Sequence, residues 1–188
     1  MAATNTGANA VKFVKPDAIV ISLFNGKETD DTPLGEVYVL DDVIRDTTQI
    51  TQDDNDTTDI ERETSDVPIL SIVTSGKYQL AADIADTQKD LLVAVCDFTY
   101  DETTKKVYAP SSYKTKYAKV DIVFGGKAAV LPKVQLNSKV TFESLNTSIG
   151  KISLAGTAQL ASVEIGATDA KKTIKVPFYI DENYTMPV

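Results

Sequence analysis

The stretch DTTQITQDDNDTTDIERETSD, residues 46 to 66, decides how this chain is read, because it is strand-like in composition yet has little to bury. Only Ile50 and Ile60 in it are clearly apolar. Eight acidic residues (Asp46, Asp53, Asp54, Asp56, Asp59, Glu61, Glu63 and Asp66) stand against one basic residue, Arg62. Its threonines favour a strand over a helix, and period-two alternation puts Thr48, Ile50 and Gln52 on one face. We expect two extended arms, RDTTQITQ and TTDIERETS, folded about the turn DDND into a long polar β-hairpin. A two-stranded ribbon is marginal alone in water. The stretch is therefore expected to be ordered by pairing with something else.

Working outward, the acidity of the chain is placed rather than diffuse. The formal charge is −8, from 27 acidic and 19 basic residues. Setting aside the opening stretch leaves 19 acidic against 18 basic, close to neutral. From Glu28 to Asp66 there are 14 acidic and two basic residues, and from Val67 onward 12 acidic and 14 basic. A homopolymer can use such asymmetry in head-to-tail contacts, which close into rings or run on into filaments.

The rest of the composition narrows the chemistry. At 188 residues, 43% hydrophobic and 24% charged, the chain is long enough for one domain with a substantial core. Residues 1 to 10 (MAATNTGANA) are small and polar and are expected to be flexible, with residues 11 to 188 forming a single domain. This start has neither a basic n-region nor an apolar h-region, so no secretory signal is expected. No apolar run approaches the length of a membrane-spanning helix, and no membrane partner is expected. There is no histidine, which removes Ser-His-Asp and Cys-His catalysis and the commonest metal ligand. The single cysteine, Cys96, lies within LLVAVCDF and reads as an inert buried thiol. Composition argues against an enzyme, and no cofactor or metal is expected.

Strand signals recur on both sides of the opening stretch. The run Ala18 to Phe24 ends at Asn25-Gly26, EVYVLDDVI follows, and VPILSIVTSG and KYQLAAD come after the arm. DTQKDLLVAVCDF is the one strong helix, with Asp86 or Thr87 as its cap and Leu91, Leu92, Val95 and Phe98 on one face. Strand pattern returns in YAKVDIVFGGK, turning at Gly125-Gly126, and continues through AAVLPKVQL, SKVTFESLN, GKISLAGTAQLASVEI and KKTIKVPFYI. In the last of these Ile174, Val176, Phe178 and Ile180 alternate. Ten to thirteen short strands and one helix predict a mainly-β fold: an antiparallel sandwich or barrel with one flanking helix.

Three tempting sites are weak. QDDNDTTDIERE suggests calcium, but aligned from Asp54 it has Asp59 where an EF-hand loop needs glycine and Ser65 where it needs glutamate. Gly125-Gly126-Lys127 is too short for a phosphate loop. Lys105, Lys106, Lys114, Lys116 and Lys119, interleaved with Tyr108, Tyr113 and Tyr117, suggest a nucleic-acid face, yet the chain is acidic overall and lysines commonly protect strand edges. No sequence-specific nucleic-acid partner is expected.

The order of parts resembles that of phage tail tube proteins, the major tail proteins, over roughly residues 11 to 180. DTTDIERETSDVPILSIVTSGKYQLAADIADTQKDLLVAV resembles their arm, two strands and helix, and SLNTSIGKISLAGTAQLASVEI resembles their late hairpin. The resemblance implies a β-sandwich or barrel that assembles with itself into hexameric rings, stacked into a tube through which DNA passes. It implies location in the virion tail, in the host cytoplasm during assembly, and contact with other tail proteins such as tape measure, terminator or sheath. The arm would then contact a neighbouring subunit through Thr48, Ile50, Thr58, Ile60 and Arg62, with the two isoleucines as anchors. Asp53, Asp54, Asp56, Asp59, Glu61 and Glu63 become candidate channel-lining groups that repel phosphate and keep the duplex from sticking. The alternatives are an adhesin- or pilin-like sandwich assembled at a surface, a secretion-system ring protein, and a carbohydrate-binding sandwich, which the absence of tryptophan disfavours.

Overall fold

The computed structural model describes residues 10–13, 16–24, 35–62, 65–141, 150–166 and 171–187, and of residues 10–13 and 56–74 the backbone. Residues 1 to 9 of the expected flexible start lie outside the described residues, while Ala10 already opens a strand. The first half of the chain forms β1 (Ala10–Phe13), β2 (Ala18–Leu23), β3 (Val37–Leu40), β4 (Thr48–Gln52), β5 (Asp56–Arg62), β6 (Ser65–Thr74) and β7 (Tyr78–Ile84). Helix α1 (Lys89–Cys96) follows. The second half contains β8 (Thr99–Asp101), β9 (Lys106–Tyr108), β10 (Lys116–Phe124), β11 (Lys127–Leu136) and β12 (Lys139–Thr141). It ends with β13 (Lys151–Ala158), β14 (Ala161–Ile165), β15 (Lys172–Val176) and β16 (Tyr179–Asp181). Among the described residues the fold is mainly β and antiparallel with one helix.

One large sheet runs β1-β4-β7-β13-β11-β10-β2-β3, with β12 beside β13 and β16 beside β11. Three pairs stand outside it as two-stranded sheets: β5-β6, β8-β9 and β14-β15. The large sheet curls. Leu40 of β3 and Ile50 of β4, near opposite ends of the strand order, meet Ile19, Leu80, Ile122, Leu131, Ile152 and Leu154 in one buried cluster with the helix residues Leu91, Leu92, Ala94, Val95 and Cys96.

Side-chain pattern explains which strands are central. In β13, KISLAGTA alternates half-buried with buried positions, as befits one covered face. β10 from Val120 to Val123 and β11 from Ala128 to Val134 are buried on both faces, Asp121 and Lys133 included. Their outer face is covered by the C-terminal segment, where Tyr179 and Tyr184 pack on Val20, Val123, Ala128 and Val130. β11 changes partner along its length: Ala128 to Val130 face β16, and Val134 to Leu136 face β13. Pro132, which has no N–H to give a neighbour, sits at the changeover. The hairpin joining β10 to β11 turns on Gly125 (φ 55) and Gly126 (φ 76), both in the left-handed region that glycine enters freely.

Several local expectations are corrected. Gln88, not Asp86 or Thr87, is the helix N-cap residue, and Asp86 instead accepts a hydrogen bond from the Gln88 N–H at 2.8 Å. Asp97 ends the helix in a left-handed conformation (φ 63), so Phe98 lies beyond it. The stretch likened to a late hairpin divides differently. β13 pairs with β12, β11 and β7, whereas β14 pairs with β15, because the chain leaves the large sheet at Gln159-Leu160.

The main correction concerns the arm. Among the described residues, the two arms expected at 45–52 and 57–65 do not pair with each other. β4 lies inside the large sheet between β1 and β7, with Ile50 opposite Val11 and Leu80. The hairpin is β5-β6, one strand further along, with Ile60 opposite Leu70 and Thr58 opposite Ile72. Its second strand, SDVPILSIVT, is apolar, so the hairpin is less polar than the acidic stretch alone implied.

Candidate assembly surface

The β5-β6 hairpin is fixed at its root. The Asp53 N–H donates to the Lys77 carbonyl at 2.9 Å, the Gly76 N–H donates to Asn55 Oδ1 at 3.0 Å, and Gln79 Nε2 donates to Asp53 Oδ2 at 3.1 Å. The two chains approach so closely here that a Cβ on Gly76 would fall 1.7 Å from the Asp53 carbonyl oxygen. Only glycine fits. The ribbon therefore leaves the body at a set place, Asp53 to Asn55 on one side and Ser75 to Lys77 on the other.

Beside this root is a cleft of about 480 Å³ lined by Gln52, Gly76, Tyr78, Ala158, Leu160 and Pro177 among others. Leu160 is 64% exposed. The rings of Tyr78 and Phe178, 5.0 Å apart, brace the start of β7 against the C-terminal segment. Since Thr157 of β13 stands opposite Gln79 of β7, the β14-β15 hairpin departs from the same end of the sheet as the β5-β6 hairpin.

The sheet also has open edges. Among the described residues, β1 pairs only with β4, and β3 only with β2. On β3 the side chains of Val37 and Val39 are 48% and 47% exposed, while Leu40 is buried. A short apolar edge strand offers unpaired backbone groups and apolar surface together, which soluble monomers usually guard against. VYVL carries no charge within the strand; Glu36 and the pair Asp41-Asp42 flank it.

The far end of the body is organised by Lys116. Its Nζ donates to the carbonyls of Val93 and Ala94, both at 2.8 Å, and lies 3.2 Å from Asp97 Oδ1. A cation thus meets the negative end of the helix. Burial disfavours the charged form of Asp97, but the Lys114 N–H and the Lys116 ammonium outweigh it and hold the carboxyl below its usual range. Burial also pushes the neighbouring Cys96 thiol up to about 11, Lys116 opposing only in part. A thiol so placed is a packing group at neutral pH.

The residues singled out from sequence are divided by this structure. Thr48 and Ile50 are 0% and 2% exposed and belong to this chain's own interior, so neither contacts a neighbour. Thr58, Ile60 and Arg62 are carried on β5 of the hairpin, as are Asp56, Asp59 and Glu61. Asp53 and Asp54 are exposed at its root. Glu63 lies outside the described residues. What sequence reasoning missed was the edge strand and the apolar half of the arm. Both had a signal: VYVL and VPILSIV lack the polar alternate positions of a strand with one solvated face.

No protein-family model matches the chain. No curated protein matches it at a significant level.

Proposed function

We propose that this chain is a structural, non-enzymatic subunit that assembles with itself into stacked rings, the tail tube of a phage. The observation that carries the reading is the β5-β6 hairpin: a separate two-stranded sheet, rigidly rooted, whose second strand is apolar. Two strands alone are marginal in water, and a ribbon with one apolar strand is stabilised by lying on another surface. The open edges β1 and β3 offer further surfaces for adjacent copies, and the resemblance implies six per ring. The acidic residues at the root and along β5 fit a duct that must pass DNA without binding it, because every cationic phosphate contact would hold the duplex back.

Negative-stain electron microscopy over a rising concentration series tests this. Rings or tubes with a central hole are the expected result, and deleting residues 57–73 is expected to abolish them while leaving a folded monomer. Particles that stay monomeric at every concentration, with or without the hairpin, would overturn the reading.

A further inference from the structure

Asp121 is out of place on the covered outer face of the sheet. It is 2% exposed on β10, opposite Val20 of β2 on one side and Val130 of β11 on the other. A carboxylate thus stands in a row of buried valines. Asp121 Oδ2 accepts hydrogen bonds from Lys119 Nζ at 2.9 Å and from the Tyr184 hydroxyl at 2.8 Å, while Oδ1 is buried with no hydrogen-bond partner. A buried ion pair with one oxygen unmet adds less stability than a well-packed apolar side chain in the same place. Stability alone does not call for an acid here.

The end of the chain covers this acid. β16 adds three residues to the edge of β11, with Tyr179 opposite Val130, Ile180 opposite Ala129 and Asp181 opposite Ala128. Asp181 Oδ1 then accepts from the Asn183 N–H at 2.9 Å, and after this turn Tyr184 lies back over the sheet. Tyr179 and Tyr184 pack on Val20, Val123, Ala128 and Val130. Burial first, and the bond to Asp121 next, raise the pKa of the Tyr184 hydroxyl, so it remains a donor. At the near end Phe178 packs on Tyr78. The other contacts are weak. Lys127 and Glu182 form an exposed ion pair at 3.1 Å, and such pairs add little. Thr185, Met186 and Pro187 are exposed.

The body beneath does not depend on this segment for its core. Ile19, Ile122, Leu131, Ile152 and Leu154 belong to the separate cluster that includes the helix. Lifting the segment gives water to both Asp121 oxygens, which offsets part of the lost apolar contact, whereas a valine at 121 would gain nothing. Lifting also bares the edge of β11 at Ala128–Val130, because β13 pairs with β11 only from Val134 to Leu136. A short ladder, few apolar contacts and an unmet buried charge are the marks of a part that opens locally.

We infer that the C-terminal segment from Tyr179 to Pro187 is a releasable strap: it opens as a unit over a sheet that stays folded, with the Tyr184–Asp121 bond as its catch. The strap is a property of the single chain and does not rest on the assembly proposed above.

Native-state hydrogen exchange of the full-length chain, followed by NMR at several low urea concentrations, tests it. The ladder-bonded amides of β16 are expected to exchange faster than that of Leu80 in β7, and with little dependence on urea. Ile152→Val weakens the open and closed forms alike, because opening leaves Ile152 in place. It is expected to speed Leu80 roughly three- to tenfold and leave β16 unchanged. Tyr184→Phe removes the donor of the catch and is expected to speed β16 roughly tenfold, the weight of one hydrogen bond to a charged group. D121V/Y184F replaces acid and hydroxyl together by apolar groups and is expected to return β16 to the wild-type rate or below it. The remaining protected amides in the same spectra show that each variant is folded. The inference is overturned if wild-type β16 exchanges with the rate and urea dependence of Leu80, or if Ile152→Val speeds both alike. It is overturned equally if Tyr184→Phe leaves β16 unchanged, or if D121V/Y184F is no slower than Tyr184→Phe.

Discussion

Residues 47–52 read TTQITQ and residues 57–62 read TTDIER: two Thr-Thr-polar-Ile stretches ten residues apart. The first becomes β4 and lies between β1 and β7, with Ile50 buried against Leu80. The second becomes β5 in a hairpin outside the large sheet. Local propensity is nearly the same in both, so it does not set their fates. The neighbours do. β4 needs only Thr48 and Ile50 on its inner face to fill a place between two strands supplied from elsewhere. β5 pairs with the strand that follows it and takes that strand's apolar residues with it.

The largest expected effect comes from removing the two isoleucines separately. Ile50→Ala should lose about 2–5 kcal/mol of unfolding free energy, the range for a large side chain cut from a filled interior, as read by urea denaturation. Ile60→Ala should leave the stability of the dilute monomer within about 0.5 kcal/mol and instead reduce ring formation in electron micrographs. If the two substitutions destabilise the monomer equally, the contrast between these strands fails.

Next is the root between them. Gly76→Ala places a methyl against a backbone carbonyl, so the chain itself must shift. A loss of about 1–3 kcal/mol is expected, with the amide signals of Asp53 and Asn55 displaced. Unchanged stability would mean that the close approach at the root is not maintained in solution.

A smaller effect of opposite sign sharpens the comparison from the β4 side. Thr48 Oγ1 is buried without a hydrogen-bond partner. Thr48→Val keeps the shape and removes the unmet hydroxyl, and should raise stability by about 1 kcal/mol. Thr58→Val on β5 should do nothing measurable to the dilute monomer, which differential scanning calorimetry of both variants would check.

The smallest effect is acid sensitivity. Burial tends to raise the Asp83 pKa, but hydrogen bonds from Lys151 and Ser153 lower it below 3.8 overall. A carboxyl lowered by folding contributes stability that is present above the unfolded value and is lost as pH falls through the folded one. Stability should therefore be insensitive to this group near neutrality and decline below about pH 4. Asp83→Asn should make that decline shallower in acid titrations followed by circular dichroism.

How much of this could be read in advance depends on whether a feature is local. The alternation of KISLAGTA, the glycine turn at 125–126, the helix within DTQKDLLVAVCDF and the inertness of Cys96 each rest on a few adjacent residues, and all were legible. Strand partners were not. TTQITQ looks like solvent-facing ribbon until Leu80 is known to stand beside Ile50, and nothing within six residues announces that. The chain's exit from the sheet at Gln159-Leu160 was hidden for the same reason, since a strand that changes sheets looks in sequence like one that turns back. The cleft of about 370 Å³ at the end of α1 was half legible: Lys114 and Lys116 stood out as charges, but only the fold puts Ser138 and Lys139 in the same lining.

One pairing also sets a timetable. β2 (AIVISL) is hydrogen-bonded to β10, about a hundred residues later, and its other neighbour β3 is too short to shield it. At a synthesis rate of about 5–20 residues per second, the wait for β10 lasts about 5–20 s. Throughout that interval this apolar strand has only the four residues of β3 to pair with. The hazard for this chain is thus greatest before it is complete. An early-acting chaperone, or a fast passage through translation after Thr74, would raise its yield more than any improvement to the finished interior.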